Sequence, residues 1–315
     1  MESGRIRREA LALLRDRTLS LPFPRFVYAE PTNACGLRCV MCPRQESGRP
    51  QGMMDPALFR RIADDCAREG PVDRLILHKD GEPLLHPGIV EMVDYAKRAG
   101  AAERVSFSTG GMELDAGKAE ALIRAGLDWL DVAVDGTTAA TYEGLRVRGD
   151  LGVVEENVRR LASLRRRLGS STPRINLRII RTGKALDEVP AFRARWEGVA
   201  DSVEEREFKT WAGRYPESLR AEEDRRPARR TPCFSPFTAL AVNWDGDVSL
   251  CSVDWAKRGV MGSLKAASLL DIWRGGVLAG ARQAHQEGRW GHVPACATCA
   301  DWQPFEELWE LPDEL

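Results

Sequence analysis

No run of apolar residues in this chain approaches the length of a membrane span, and no N-terminal segment couples an apolar stretch to a small-residue cleavage site. A membrane-spanning protein and a secreted one are therefore disfavoured, and a cytoplasmic location is expected. An excess of either charge is also missing. Lys and Arg number 46 against 47 for Asp and Glu, so nothing draws the whole chain to nucleic acid or to an anionic membrane. There is no low-complexity tract and no internal repeat beyond an alternation of strand-like and helix-like segments. With 43% hydrophobic and 30% charged residues, 315 residues can bury one large core and carry a smaller unit beside it.

The alternation runs from Phe26 to Phe208. Short apolar runs at Phe26–Ala29, Arg74–Leu77, Arg104–Phe107, Trp129–Val134, Ile175–Ile180 and Val203–Phe208 read as strands. Amphipathic stretches such as Pro56–Arg68, Pro87–Ala99, Ala116–Ala125, Val153–Leu168 and Leu186–Trp196 read as the helices between them. Repeated strand, helix, strand implies parallel strands with right-handed crossovers. The fold class expected is α/β, a partial (β/α)6 barrel with functional groups at the strand C-terminal ends. Residues 1–25 precede it as a basic helical extension, and 26–212 form the barrel. Residues 213–232, rich in Arg, Glu, Asp and Pro from Gly213 to Arg230, read as a solvated helix or linker. Within 233–303, Ala239–Val242 and Val248–Leu250 flank an Asp-Gly turn and predict a hairpin, followed by helices at Ser268–Trp273 and Val277–Gln286. Residues 304–315 form an acidic aromatic tail.

The eight cysteines are clustered rather than spread as a disulfide framework. Cys35, Cys39 and Cys42 form C-x3-C-x2-C directly after the first strand. A disulfide within so short a loop would strand an odd thiol, and zinc sites prefer four ligands in paired knuckles. Three thiolates on one loop can hold three irons of a [4Fe–4S] cluster and leave the fourth open to an exchangeable ligand. Cys233, Cys251, Cys296 and Cys299 supply a second set, C-x17-C-x44-C-x2-C. Four thiolates saturate a second [4Fe–4S] cluster, with a structural zinc as the alternative.

The loop from Glu30 to Cys42, with bulky Met41 before the last cysteine, resembles the motif of the radical S-adenosylmethionine (SAM) superfamily. The segment Cys233-x12-Gly246-x4-Cys251, the stretches Gly262–Leu264 and Leu270–Trp273, and Pro294–Cys299 resemble the SPASM/twitch cluster domains that follow such barrels. A full SPASM domain continues with three further cysteines; none follows Cys299 here. This is similar to the twitch arrangement of the 2-deoxy-scyllo-inosamine dehydrogenase type and related aminoglycoside-modifying radical enzymes. The resemblance implies two [4Fe–4S] clusters, one binding SAM and one auxiliary, and a flavodoxin- or ferredoxin-type reductant. Lys79-Asp80-Gly81-Glu82-Pro83 resembles the family's G-G-E-P motif, with Asp80 in place of the first glycine. That motif receives the ammonium group of the methionine moiety. Ser108 and Thr109 resemble the segment ending the third strand, and Asp135 ends the fourth. Ala133 stands where many relatives carry a hydroxyl, so ribose contacts are expected from Asp135 or Thr109. Arg146 resembles an arginine that pairs with the methionine carboxylate.

The reaction the resemblance implies is oxidation of a secondary alcohol in a small polar substrate, an aminocyclitol, aminoglycoside or sugar, with the auxiliary cluster accepting an electron. Epimerisation of a sugar carbon and peptide maturation are the alternatives. An epimerase needs a hydrogen donor, and Cys66, the remaining cysteine, reads as a buried helix residue. His78 and His86, beside the cosubstrate loop, read as packing or capping residues. As proton acceptor the sequence points to Lys209 and Arg178, polar residues at strand ends.

Overall fold

The structure is a computed structural model and describes residues 21–225 and 230–303. Six parallel strands follow one another in the sheet: β1 (Phe26–Ala29), β3 (Val72–Ile76), β4 (Ala102–Thr109), β5 (Trp129–Ala133), β7 (Arg174–Arg181) and β8 (Ser202–Glu207). Strand β8 ends the sheet and does not return to β1, so the barrel is open, as the sequence predicts. Two short strands, β2 (Arg38–Cys39) and β6 (Arg146–Val147), pair by themselves above it.

The helices form because their apolar residues recur every three or four positions. The Pro56–Arg68 helix starts at Asp55, whose carboxylate accepts from the Ala57 amide at 2.7 Å, with Pro56 in the first turn. It buries Phe59, Ile62, Ala63 and Cys66, one stripe facing the sheet. Helix Ile89–Ala99 stops at Gly100, whose φ of 64° is the left-handed cap. The stretch expected as one helix from Leu186 is two, Gly183–Asp187 and Val189–Trp196, because Pro190 cannot continue the amide ladder of the first.

The C-terminal hairpin extends this same sheet. Strand β9 (Ala239–Val242) runs parallel to β1 in the register Phe26↔Ala239 to Ala29↔Val242. Strands β10 (Asp247–Ser249) and β11 (Val260–Ser263) continue antiparallel, giving nine strands in one sheet. The chain between barrel and hairpin is no loose tether. Arg220 and its partner Asp301 are both fully buried in their side chains, and Asp301 also accepts from the Thr210 and Ala212 amides at 2.7 and 2.8 Å. A paired charge of this kind needs protein on all sides, which local composition does not reveal. Among the described residues no helix is long and apolar enough to cross a membrane. The N-terminal extension up to residue 20 and the tail 304–315 lie outside the described residues.

Candidate metal centres and cosubstrate site

Cys35, Cys39 and Cys42 occupy the loop leaving β1. Thr32 and Asn33 staple its base to the chain opposite. Thr32 donates to the Gly52 carbonyl at 2.7 Å, while Asn33 donates to the Pro50 carbonyl and accepts from the Gly52 amide, each at 2.9 Å. Arg44 donates to the carbonyls of Asn33, Cys35 and Leu37 at 3.3–3.4 Å. In the β2–β6 pair, Cys39 lies opposite Arg146, whose guanidinium approaches the Cys39 sulfur at 3.8 Å. Met41 is buried behind the loop.

Burial pushes the Cys35 thiol up to about 11 and the Cys42 thiol up to about 12, and the Cys39 sulfur adds to both. Such thiols stay protonated at neutral pH unless a cationic group among them stabilises thiolate. An iron–sulfur core meets that need.

The second set converges where the hairpin meets the C-terminal turns. Burial is again the leading cause: Cys296 and Cys299 are pushed up to about 12, Cys251 well above the ordinary thiol, and Cys233 upward. Cys251, Cys296 and Cys299 each feel other sulfurs of the set. No cysteine forms a disulfide. Among the described residues, no three His, Cys, Asp or Glu side chains close tightly enough around a point to hold one ion. Four clustered thiols fit a cubane, with a structural zinc the other four-thiolate centre. Donors already face them, the Asp301 amide at 3.3 Å from the Cys299 sulfur and the Gln303 amide at 3.4 Å from Cys233. Arg230 donates to the carbonyls of Cys296 and Cys299 at 2.8 and 3.2 Å, while its Nε and Nη2 are buried and have no hydrogen-bond partner among the described residues. A buried guanidinium edge with nothing to bind is costly alone. Beside an anionic four-thiolate cluster its charge is compensated.

Lys79 to Pro83 follow β3. Gly81 has φ +79°, and a Cβ there would lie 2.4 Å from the Thr32 carbonyl oxygen and 2.7 Å from that of Ala34. Only glycine lets this backbone press against the cysteine loop. Gly81→Ala is expected to cost more than about 2 kcal/mol from the left-handed backbone and the overlap, read as a lower thermal midpoint. The Glu82 carboxylate accepts from Thr109 Oγ1 at 2.8 Å, the Gly110 amide at 2.7 Å and the Leu84 amide at 3.1 Å. Burial outweighs these bonds and raises it to about 7. Pro83 opens the short turn that follows.

Asp80 is not an idle substitution for glycine. It pairs with Arg49 at 3.0 Å and Lys79 at 2.7 Å, and Arg49 reaches Glu30 at 2.5 Å, all of them buried. Lys79 also donates to the Asp254 carbonyl at 3.1 Å, so this charged chain ties the cosubstrate loop to the segment after Cys251. Glu30 and Arg49 were invisible to a reading of motifs; the one hint is the uncompensated carboxylate at position 80.

Arg146 pairs with Asp135 at 2.6 Å; burial works against its charge, but the Asp135 carboxylate, together with the Cys39 and Tyr142 side chains, more than offsets it and holds the guanidinium charged. The other Asp135 oxygen accepts from the Ile180 amide at 2.8 Å. Thr109 spends its proton on Glu82 and accepts from the Gly111 amide at 2.9 Å. The ribose contacts expected of Thr109 and Asp135 thus meet groups already bonded within the protein.

The barrel interior is polar. Ser108, Asp131, Asn176 and Ser202 share one row across the sheet, and Ala133, Arg178 and Glu204 the next. Arg178 bonds to Asp131 and Glu204, each at 2.8 Å, and donates to Ser108 Oγ at 3.0 Å. Its expected role as proton acceptor fails, because a guanidinium held by two carboxylates has no lone pair to offer. Lys209 is no better placed, being an ammonium ion-paired with Glu207. Burial holds His78 down at about 4, the Arg178 charge adding to this and the Asp80 and Asp131 carboxylates opposing it, so the ring is neutral at pH 7. His86 bonds to the Met54 carbonyl and the Gly88 amide, each at 3.0 Å, as a packing residue would. Lys79, in the loop after β3, donates to the carbonyl of Asp254, three residues after Cys251, at 3.1 Å. The second cysteine set therefore borders the barrel mouth.

Comparison with known proteins agrees with this geometry. Residues 29–174 match the radical SAM superfamily, and residues 233–300 match SPASM, an iron–sulfur cluster-binding domain. A tungsten-containing aldehyde ferredoxin oxidoreductase cofactor-modifying protein of Pyrococcus furiosus is 29% identical over 168 residues, 53% of this chain and 46% of that one. The matched region thus spans about half the length of that curated relative. Among solved structures, BtrN in complex with AdoMet and 2-DOIA aligns over 89% of this chain and 94% of its own, with TM-score 0.59 and 19% identity. Streptococcus suis SuiB bound to precursor peptide SuiA aligns over 96% and 77%, with TM-score 0.67 and 13% identity. An open three-cysteine loop, a glycine-anchored turn pressed against it and a four-cysteine set on the extended sheet are the parts of one family: the chain is a radical SAM enzyme with a SPASM domain, carrying SAM and iron–sulfur clusters.

Proposed function

We propose that this enzyme oxidises a secondary alcohol of a small polyol, an aminocyclitol or sugar, to a ketone. When bound, SAM and the open cluster would supply a 5′-deoxyadenosyl radical able to take the carbinol hydrogen atom, and the auxiliary cluster would take up the remaining electron, while the hydroxyl proton would pass to a base or solvent. The observation that carries the reading is the 3.1 Å hydrogen bond from Lys79 to the Asp254 carbonyl, which joins the loop after β3 to the segment following Cys251 and so sets the second cysteine group beside the polar strand ends. The fold likeness to BtrN, solved with AdoMet and 2-DOIA, supports a small polar substrate.

The chain's own residues take the following roles. Cys35, Cys39 and Cys42 hold the open cluster, with Met41 packed behind them. Cys233, Cys251, Cys296 and Cys299 hold the auxiliary one. Glu82 and the Asp80–Pro83 backbone receive the SAM ammonium, and Arg146, beside Cys39, faces the methionine carboxylate. Thr109 and Asp135 act by fixing Glu82 and Arg146. Ser108, Arg178 and Glu204 bind substrate hydroxyls, and neutral His78 accepts the proton. Lys209 contributes charge at the rim.

Glu82 gives a pH dependence. Its folded value of about 7 lies above the ordinary 4.5, so the folded protein holds the proton more tightly than the unfolded chain. The stability this confers is complete below the unfolded value and is lost as pH rises through 7. SAM binding runs the opposite way, since its ammonium needs the carboxylate. Affinity is expected to fall up to about tenfold per unit below pH 7, measured by calorimetry with reconstituted protein.

Isotope tracing tests the reaction. Reduced enzyme incubated with aminocyclitols or amino sugars in deuterium oxide should give a ketone and one equivalent of 5′-deoxyadenosine. An isomer one mass unit heavier, bearing one carbon-bound deuterium, would establish epimerisation instead. Cys66 is fully buried in the Pro56–Arg68 helix, so Cys66→Ala should cost about 1 kcal/mol of stability and leave turnover intact. A peptide substrate is the second reading, favoured by the fold likeness to SuiB bound to SuiA. Mass change in a peptide, with no ketone from any polyol, would select it.

A further inference from the structure

His285 lies on the helix Gly276–Gln286 and is fully buried. Its Nδ1 accepts from the Cys233 amide at 3.3 Å, and its Nε2 stands 3.3 Å from the Cys296 sulfur. An imidazole nitrogen that accepts an amide carries no hydrogen, so the proton sits on Nε2 and points at the sulfur. The ring thus touches two of the four thiols at once, holding one by its backbone and bonding the other directly. Arg230 flanks the same group. It binds the Cys296 and Cys299 carbonyls, lies 4.8 Å over the Trp290 ring, and keeps two buried nitrogens without a hydrogen-bond partner among the described residues.

Hydrogen bonds to cluster sulfurs and nearby positive charge both favour the more negative, reduced state of an iron–sulfur cluster. We infer that His285 and Arg230 are positioning residues that raise the reduction potential of the auxiliary cluster, making it an acceptor of electrons rather than a mere structural clip. The three-cysteine loop shows a different balance. Among the described residues its one side-chain donor to sulfur is Arg146, at 3.8 Å and already neutralised by Asp135. The two clusters are thereby set apart in potential, with the auxiliary one the easier to reduce. The purpose of this arrangement rests on the alcohol-oxidation reading, but its test does not, because potentials are read without substrate.

The experiment is a redox titration of the anaerobically reconstituted holoenzyme followed by electron paramagnetic resonance. Added SAM perturbs one cluster signal and so identifies the other as auxiliary. His285→Asn keeps an acceptor for the Cys233 amide and removes the donor to Cys296; His285→Gln restores a donor of similar reach. The asparagine protein should show an unchanged iron content and an auxiliary midpoint shifted to lower potential, and the glutamine protein should recover most of that shift. Arg230→Gln should shift it in the same direction. In the wild type, pulsed resonance in deuterium oxide should detect an exchangeable hydrogen coupled to the reduced auxiliary cluster. An asparagine variant that keeps both its iron and the wild-type midpoint overturns the proposal. So does loss of the auxiliary iron in both histidine variants, or strong nitrogen coupling in the wild type, which would make His285 a ligand. Ketone formation is scored separately, so a failed substrate assay leaves this outcome readable.

Discussion

Cys39→Ala protein is expected to retain the auxiliary cluster and lose SAM cleavage entirely. Iron should fall from about eight atoms per chain to about four, and 5′-deoxyadenosine should drop below detection in reduced samples. Cys39 is the most consequential of the three thiols because it stands in the β2–β6 pair, opposite Arg146. Removing its sulfur deprives the open cluster of a ligand and deprives Arg146 of a neighbour, leaving the Asp135 pair as its remaining anchor. The fold should survive, since Cys39 is only half-buried and lies outside the hydrophobic core. Iron analysis, the visible cluster spectrum and chromatography of the nucleoside products together decide it. Retained cleavage would place the open cluster elsewhere.

Cys251→Ala should do the reverse, and this contrast separates the two centres. The variant is expected to keep SAM cleavage yet lose ketone formation by at least about a hundredfold, with 5′-deoxyadenosine produced in excess of product. The reasoning is positional. Cys251 follows β10, and three residues on the Asp254 carbonyl accepts from Lys79 of the loop after β3. On the alcohol-oxidation reading, the electron left on a substrate radical there passes to the auxiliary cluster. If product yield stays coupled one to one with 5′-deoxyadenosine, the auxiliary cluster is not the electron acceptor. Loss of both activities together with a collapsed thermal midpoint would assign the second cysteine set to folding. The Lys79–Asp254 contact makes a modest fall in SAM affinity expected as well, because it joins the two loops through one ammonium.

Local signals carried much of the fold. The helix Pro56–Arg68 was readable at both ends because its cap, its proline and its apolar stripe are all contiguous in sequence. The Asp-Gly turn announced the hairpin for the same reason. Strand limits were looser: β4 runs from Ala102 to Thr109, well beyond the apolar run at its centre, because pairing with neighbours on both sides recruits polar residues. The cysteine sets were legible from spacing. What surrounds them was not. His285 looks like any polar residue on an amphipathic helix, and Arg230 like part of a charged linker. Their meaning arises only when chain segments far apart in sequence meet. Arg178 was misread for a related reason: strand-end position is local, but the Asp131 and Glu204 carboxylates that hold it come from neighbouring strands; the partner of Lys209, Glu207, stands only two residues away in sequence.

Strand β1 is flanked by β3 on one side and by β9 on the other. During synthesis its second edge must wait until nearly the whole chain has emerged, since β9 begins at Ala239. Until then an open row of amides and carbonyls faces solvent beside the first cysteine loop. Maturation is therefore ordered by topology: the last parallel strand to dock both shields the nascent sheet from aggregation and carries the second set of thiols to the rim.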